Sequence, residues 1–317
     1  MASYILSRLL QAVPLLLVIT VIAFAVLHLA PGDPAGLLYG TDISAEQMAQ
    51  IRASWGLDEP LPVQYAKWLS NLLRGDLGRS FSDGRPALQV IVDRIPATLQ
   101  LTFAGLFIAL TLGLSVGILA ALRPNSAVGY ASTVFATLFY SLPNFWLALL
   151  LILVFAVWLG VLPSTGMESL RDPTGPLDRL AHLIMPAFVI SLREMGRLIR
   201  FTRASLLDVL GQDYVRTAYA KGLTVPQVAL RHALRNALIP VITLLGLSVP
   251  QLLSSSIVVE TVFAWPGMGR LLVESAFQRN YTILMGEIVL VGVLVIAGNL
   301  LADVAYAVVD PRIRYRE

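Results

Sequence analysis

Eight basic side chains crowd one stretch of an otherwise oily chain: Arg193, Arg197, Arg200, Arg203, Arg216, Lys221, Arg231 and Arg235, countered by Glu194, Asp208 and Asp213. At roughly 2.5–3.5 kcal/mol per cation at a bilayer centre, the segment from Arg193 to Pro240 is expected to lie in water and not to span a membrane. A second set consists of polar residues inside apolar runs: Gln100, Asn144, Glu287, Asn299 and Asp303. A polar group in a span is by default a pathway hypothesis. Gln100 and Asn144 lead as candidates for a solute pathway, whereas for Asp303 near the inner end and Glu287 near the outer end simple reach to water is the competing reading. Other chemistries are excluded. No Gly-rich run is followed by Lys-Ser or Lys-Thr, so the chain binds no ATP through a P-loop. His28, His182 and His232 are scattered and cysteine is absent, which argues against a metal centre. Ser164 and His182 fall outside the apolar runs, which argues against an intramembrane serine hydrolase. Neither a catalytic residue nor a cofactor of the chain's own is expected.

The basic stretch is nevertheless patterned to fold. Asp213 is placed to cap a short helix, Tyr214 to Lys221, that Gly222 would end, and Thr224 with Gln227 three places on makes a capping box for a second helix running toward Pro240. Helix, glycine bend and helix form an elbow that projects from the apolar part of the chain as a docking element. A merely solvated loop would need neither the paired caps nor the small Ala218 and Gly222.

Composition sets the frame. A chain of 317 residues that is 56% hydrophobic and 14% charged, with mean hydropathy +0.74, is a multispan membrane protein. A net charge of +3 is too small to point to nucleic acid. Leu9 to Ala30 reads as a retained first span: it is longer than the 7–15 residues of a signal-peptide core, and the following Pro-Gly-Asp-Pro is a poor cleavage site. Residues 31–97 form a polar insert in which Ser44 and Gln47 make a capping box for a helix to about Trp55 that Gly56 ends. A second helix after Pro60 and Pro62 would gather Tyr65, Leu69, Leu72 and Leu73 on one face, and Arg74 to Gly78 is a breaker. Five further apolar runs cover about 98–122, 131–161, 183–203, 237–262 and 283–308, and the arginines in the fourth are expected to snorkel or leave the membrane early. Pro143, Pro186, Pro240 and Pro250, with Gly105, Gly113, Gly117, Gly246, Gly292 and Gly298, punctuate these runs, as suits close-packed helices in a bundle that changes shape. Six spans put both termini on one side. That side carries thirteen Lys and Arg (Arg8, Arg123, the eight of the elbow, Arg312, Arg314, Arg316) against Arg171, Arg179, Arg270 and Arg279 on the other, so termini and elbow are expected in the cytoplasm.

The run from Asp213 to Leu223, Asp-Tyr-Val-Arg-Thr-Ala-Tyr-Ala-Lys-Gly-Leu, followed by Arg231-His-Ala-Leu-Arg-Asn-Ala-Leu-Ile-Pro240, resembles the cytoplasmic loop of ABC importer permeases named for its Glu-Ala-Ala motif. In particular it resembles the B-type transmembrane subunit of the dipeptide, oligopeptide and nickel permeases. Ala218, Gly222 and Leu234 keep the general pattern; Arg216, Thr217 and Arg235 stand where Glu, Ala and Pro are usual, departures typical of the B-type subunit. The Leu29-Ala-Pro-Gly-Asp-Pro34 run and the closing Asp310-Pro-Arg-Ile-Arg314 extend the resemblance over nearly the whole chain.

The resemblance implies an all-α membrane protein of six transmembrane helices, of the type I ABC importer permease kind. Its parts would be an N-terminal helix in 1–30, an extracytoplasmic helical insert in 31–97 and a five-helix core in 98–317 with a coupling loop at 204–236. The ATPase-coupling residues would be Asp213, Tyr214, Arg216, Thr217, Ala218, Lys221, Gly222, Leu234 and Arg235. The implied partners are a second permease subunit, two cytoplasmic ATP-binding subunits that hold the ATP, and an extracytoplasmic substrate-binding protein, in a bacterial cytoplasmic (inner) membrane. Di- or oligopeptides are the first expectation for the solute, with nickel chelates, glutathione or oligosaccharides as alternatives. A self-sufficient secondary transporter is the competing class; it would show inverted repeats and buried coupling-ion ligands, which the sequence lacks, and it leaves the elbow idle.

Overall fold

The computed structural model describes residues 2–29, 44–169 and 175–309. The expectations for residues 30–34, for Arg171 and for the closing 310–317 segment lie outside the described residues, as do the side chains of His232 and Asp303. Regular structure among the described residues is helical, apart from one isolated bridge between Arg79 and Pro86. In chain order the helices are α1 (Ala2–Leu29), α2 (Ala45–Ser54), α3 (Leu61–Leu73), α4 (Ala87–Val92), α5 (Ile95–Leu122), α6 (Ala127–Ser141) and α7 (Asn144–Leu151), which continues as a π-helical stretch, Ile152–Trp158. There follow α8 (Pro176–Leu210), α9 (Asp213–Ala220), α10 (Val225–Val228), a π-helical turn at Ala229–Ala233, α11 (Leu234–Val262), α12 (Met268–Phe277) and α13 (Tyr281–Val309).

Three helical stretches among the described residues are long and apolar enough to cross a membrane: Leu10–Leu29, one within Ala87–Leu122, and Tyr281–Leu300. The expected third span at 131–161 is not one straight helix. Pro143 supplies no N–H and drives Leu142 into extended backbone at φ −75° and ψ 134°, so α6 and α7 meet at a 105° bend; counted together they make a fourth stretch. The basic segment expected to lie in water begins inside a long helix. Arg193, Arg197, Arg200 and Arg203 sit on the unbroken 35-residue α8, packed against other helices.

The chain groups into two compact units. One comprises the N-terminal part to Thr98 with Pro266–Ala297. Its core joins Leu77, Ala87, Val90 and Ile91 to Met268, Leu271 and Ile283, and Gly286 lets Ile91 and Leu77 come close to the α13 backbone. The capping box at α2 is present: Ser44 N–H donates to Gln47 Oε1 at 3.0 Å and Gln47 N–H to Ser44 Oγ at 3.2 Å, while Gly56 leaves the helix at φ +69°. Tyr65, Leu69 and Leu72 are half-buried on α3, but Leu73 is 81% exposed, because the helix ends there and the chain turns away through Gly75 and Gly78, both with positive φ. Asn280 holds the segment after α3, donating to Ser80 Oγ at 2.9 Å and accepting from Phe81 N–H at 3.3 Å. Trp55 stacks on Phe81 with ring centroids 4.2 Å apart, and Thr20 and Tyr65 share a 3.0 Å hydrogen bond. Glu287, for which reach to water was one of two readings, is fully buried.

The other unit comprises Leu99–Trp265 with the segment from Gly298. Within it a seam of close approaches joins α5 to α8. A Cβ on Gly105 would lie 2.3 Å from Ile190 Cγ2, on Gly113 2.9 Å from Leu198 Cβ, and on Gly117 2.8 Å from Thr202 Cβ. Each glycine meets the residue 85 positions further on, so the two helices run side by side in the same direction and in constant register. Gly196 does the same for α6, whose Ala136 carbonyl oxygen would be 2.8 Å from an added Cβ. The core of Ala109, Ala136, Leu147, Leu192, Leu198 and Val241 fills the space these approaches leave.

Candidate coupling site

The elbow begins where α8 ends at Gly211. Asp213 does not cap α9: the N-cap is Gln212, without a side-chain bond, and Asp213 is the first helical residue, 96% exposed, where its charge still complements the helix dipole. At the other end the expectation holds in detail. Gly222 lies at φ +84°, its N–H donates to Tyr219 C=O at 2.9 Å and Leu223 N–H donates to Ala218 C=O at 3.4 Å, the paired bonds of a Schellman cap. The second capping box is present, with Thr224 N–H donating to Gln227 Oε1 at 2.9 Å. Val215, Ala218 and Val228 are buried together, with Leu210 and Leu223 packed against them, so the bend has a small apolar core of its own.

That core fixes what faces outward. Tyr214, Arg216, Thr217, Tyr219, Lys221 and Gly222 are exposed, as is Arg235 at the head of α11, while Leu234 is half-buried. Arg216 reaches Asp213 at 3.4 Å with both side chains largely in solvent, a pair of little energetic weight. Thr217 Oγ1 donates to Asp213 C=O at 3.0 Å, and Asn236 Nδ2 donates to Tyr214 Oη at 3.0 Å. The elbow is anchored from behind by Ala121, Leu206, Ala233 and Ala237, and by Ser205 Oγ donating to Ala237 C=O at 2.8 Å. The candidate coupling residues thus converge on one short motif, with Ala218 turned into its core and the others at its surface or root.

The pathway candidates lie on different helices. Gln100 is half-buried in the second turn of α5 and Asn144 is half-buried at the head of α7, beside the Pro143 bend, and no side-chain hydrogen bond joins either to another described residue. A buried polar network in the Leu99–Trp265 unit was not anticipated. Glu194, 4% exposed, accepts from Arg197 Nη2 at 2.8 Å and from Ser248 Oγ at 2.5 Å, and Ser248 accepts from Arg197 at 2.9 Å. The i,i+3 spacing of Glu194 and Arg197 hinted at the pair; Ser248, 54 residues away, left no mark in the sequence. At the head of α8, ahead of the apolar stretch, Asp178 accepts from Ser169 N–H at 2.7 Å and Ser169 Oγ at 2.6 Å, and these two bonds hold its carboxyl below the usual carboxylate range. No group of three or more His, Cys, Asp or Glu capable of holding a metal occurs among the described residues.

The fold is that of a multi-pass ABC permease. It is similar to a chain of the inward-facing MetNI methionine ABC transporter with a TM-score of 0.57 and 21% identity, over 70% of this chain and 97% of that one. Residues 113–315 match the family described as binding-protein-dependent transport system inner membrane component, and residues 1–102 match the N-terminal component of the same systems. The oligopeptide transport system permease protein AppB of Bacillus subtilis is 46% identical over 316 residues, covering 99% of this chain and all of that one. The dipeptide transport system permease protein DppB of Escherichia coli is 38% identical over the full length of both. The chain belongs to the binding-protein-dependent transport permease family of ABC importers. It is a multi-pass inner-membrane transport subunit of a family whose members work in heteromeric ABC importer complexes.

Proposed function

We propose that this chain is the translocation subunit of an ATP-driven importer of di- and oligopeptides. The observation that carries the reading is the elbow: a rigid, doubly capped, outward-facing element with its own small core, which a transporter driven by an ion gradient has no use for. Peptide as the solute is supported by similarity over the whole chain to permeases named for oligopeptide and dipeptide transport. Six spans follow if α1, α5, the bent α6–α7 pair, α8, α11 and α13 each cross once. Both termini and the elbow then face the cytoplasm, where Asp213, Tyr214, Arg216, Thr217, Lys221, Gly222 and Arg235 meet an ATP-binding subunit. Ala218 and Leu234 support them from within.

In this reading residues 1–30 form the first helix, the 31–97 insert receives the substrate-binding protein outside, and 98–317 build the core around the 204–236 coupling loop. The working complex has a second permease and two ATP-binding subunits. Gln100 and the bend at Asn144 are proposed to border the pathway.

The experiment is reconstitution. The purified chain alone should show neither uptake nor ATP hydrolysis, and both should appear when its companions and a peptide-loaded binding protein are added. Hydrolysis by the lone chain, or a complete complex that moves no peptide, would refute the assignment. A reporter after Glu317 should be cytoplasmic and one near Asp83 extracytoplasmic; the reverse labelling would end the six-span arrangement.

A further inference from the structure

The arginines of α8 are not equivalent. Arg197 is neutralised by Glu194, and Arg203 Nη1 donates to Thr133 Oγ1 at 2.7 Å. Arg193 and Arg200 are exposed and have no carboxylate partner among the described residues. They straddle the Tyr140 ring, their guanidinium carbons 5.3 and 4.9 Å from its centroid. Seven residues apart, they occupy one face of α8 two turns from each other, roughly 10 Å along the helix.

The α5–α8 register gives their depth. Three glycines of α5 each meet the α8 residue 85 positions on, and that register puts Arg193 at the level of Ile108 and Arg200 at the level of Ser115. Both levels fall inside the stretch 98–122, which contains no charged residue and belongs to a helical stretch apolar enough to cross the membrane. Two uncompensated cations at hydrocarbon depth cannot face lipid; such side chains face a bundle interior or a water-filled path. Because they point out of this chain's own packing, the path is bounded by this face and completed by the companion permease.

Resting on the proposed peptide importer, we propose that Arg193 and Arg200 are two successive sites for the carboxylate of the translocating peptide, separated by the neutral Tyr140 ring. A single acid on the companion subunit would satisfy one guanidinium. Two equivalent cations stepped from mid-depth toward the cytoplasmic end suit a mobile anion instead. A terminal carboxylate is also the one anion that every linear peptide carries whatever its sequence, so the pair serves a pathway without side-chain selectivity.

The test uses the assembled complex in proteoliposomes. Arg193→Gln and Arg200→Gln, singly and together, are compared with the corresponding Lys replacements for uptake of a labelled tripeptide and for hydrolysis stimulated by the binding protein. The double Gln variant should lose at least tenfold in uptake while stimulated hydrolysis stays within twofold of wild type, and the double Lys variant should recover most of the uptake. Arg200→Cys, in a chain with no cysteine of its own, should react with a charged thiol reagent that does not enter bilayers, read on this chain's band. Unchanged uptake, a parallel collapse of uptake and hydrolysis, or an Arg200→Cys that the reagent cannot reach would each overturn the inference, the last in favour of a fixed contact with the companion subunit. A wild-type complex that moves no tripeptide would refute the proposed function, and this inference with it.

Discussion

Asn236 Nδ2 donates a 3.0 Å hydrogen bond to the hydroxyl of Tyr214, tying the first turn of α9 to the first turn of α11. Force applied to the elbow by a docked subunit therefore has a polar route into the long helix as well as the apolar one through Ala233 and Ala237. Tyr214→Phe keeps the ring and removes the tether, a loss of about 0.5–1.5 kcal/mol at most for an exposed bond. The complex should still assemble, but ATP consumed per peptide imported should rise about twofold or more. An unchanged ratio would mean that the tether transmits nothing.

Gly222 separates two effects that are usually mixed. Its φ of +84° puts a strain of about 1–2 kcal/mol on any side chain, yet among the described residues no heavy atom beyond its two chain neighbours lies within 4 Å of an added Cβ. Within the free subunit, Gly222→Ala and Gly222→Leu should therefore cost about the same. Any excess loss of ATPase retention in Gly222→Leu reports bulk meeting the partner, and a Leu variant with full uptake would contradict the docking role.

Gly105 makes the closest approach on the α5–α8 seam, and the Ile190 it meets is fully buried and has nowhere to move. Gly105→Ala should destabilise the purified subunit by about 1–3 kcal/mol, as overpacking does. Adding Ile190→Ala should restore part of that loss. Thermal unfolding in detergent reads both, and a neutral Gly105→Ala would show that the helices pack more loosely than their register indicates.

Glu194→Ala removes the carboxylate from a largely buried guanidinium and should cost about 3–5 kcal/mol, seen as poor yield and early unfolding. Replacing both partners, with Glu194→Leu and Arg197→Met, should recover most of the stability. If the double variant is no better than the single, the network is held by Ser248 and Gln251 more than by the ion pair.

Asp178 predicts an acid limit. Its folded carboxyl is held below its ordinary value by the Ser169 bonds, so their contribution is present above the unfolded carboxylate range, near pH 4, and is lost as pH falls through the lowered folded value. Proteolysis of the loop around Ser169 should rise below about pH 4, and in Ser169→Ala it should be raised at neutral pH already. Equal protection in the variant would show that the bonds do not hold the loop.

The elbow was legible because its determinants are local. Gly222 as a helix stop and Thr224 with Gln227 as a helix start act over three to six residues, and the chain order alone carries them. The misassignment of Asp213 came from the same locality: Gln212 and Asp213 are both acceptable before a helix, and one residue of offset decides which side chain is the cap. Hydrophobic runs likewise marked where long helices lie, but not the 105° turn, since an apolar run reads the same whether a proline bends it or merely interrupts it.

What depended on tertiary structure was whatever required two distant segments to meet. The sequence marked Gly105, Gly113 and Gly117 as small but not that each faces the residue 85 positions later, and it marked the four arginines of α8 as a charge problem but not as three different answers to it. One pairs with Glu194, one bonds Thr133, and two bracket Tyr140 from another helix. Composition fixes how much charge an apolar chain must accommodate; helix packing alone decides which charges are neutralised inside and which are left facing out, because that depends on neighbours the sequence does not place side by side.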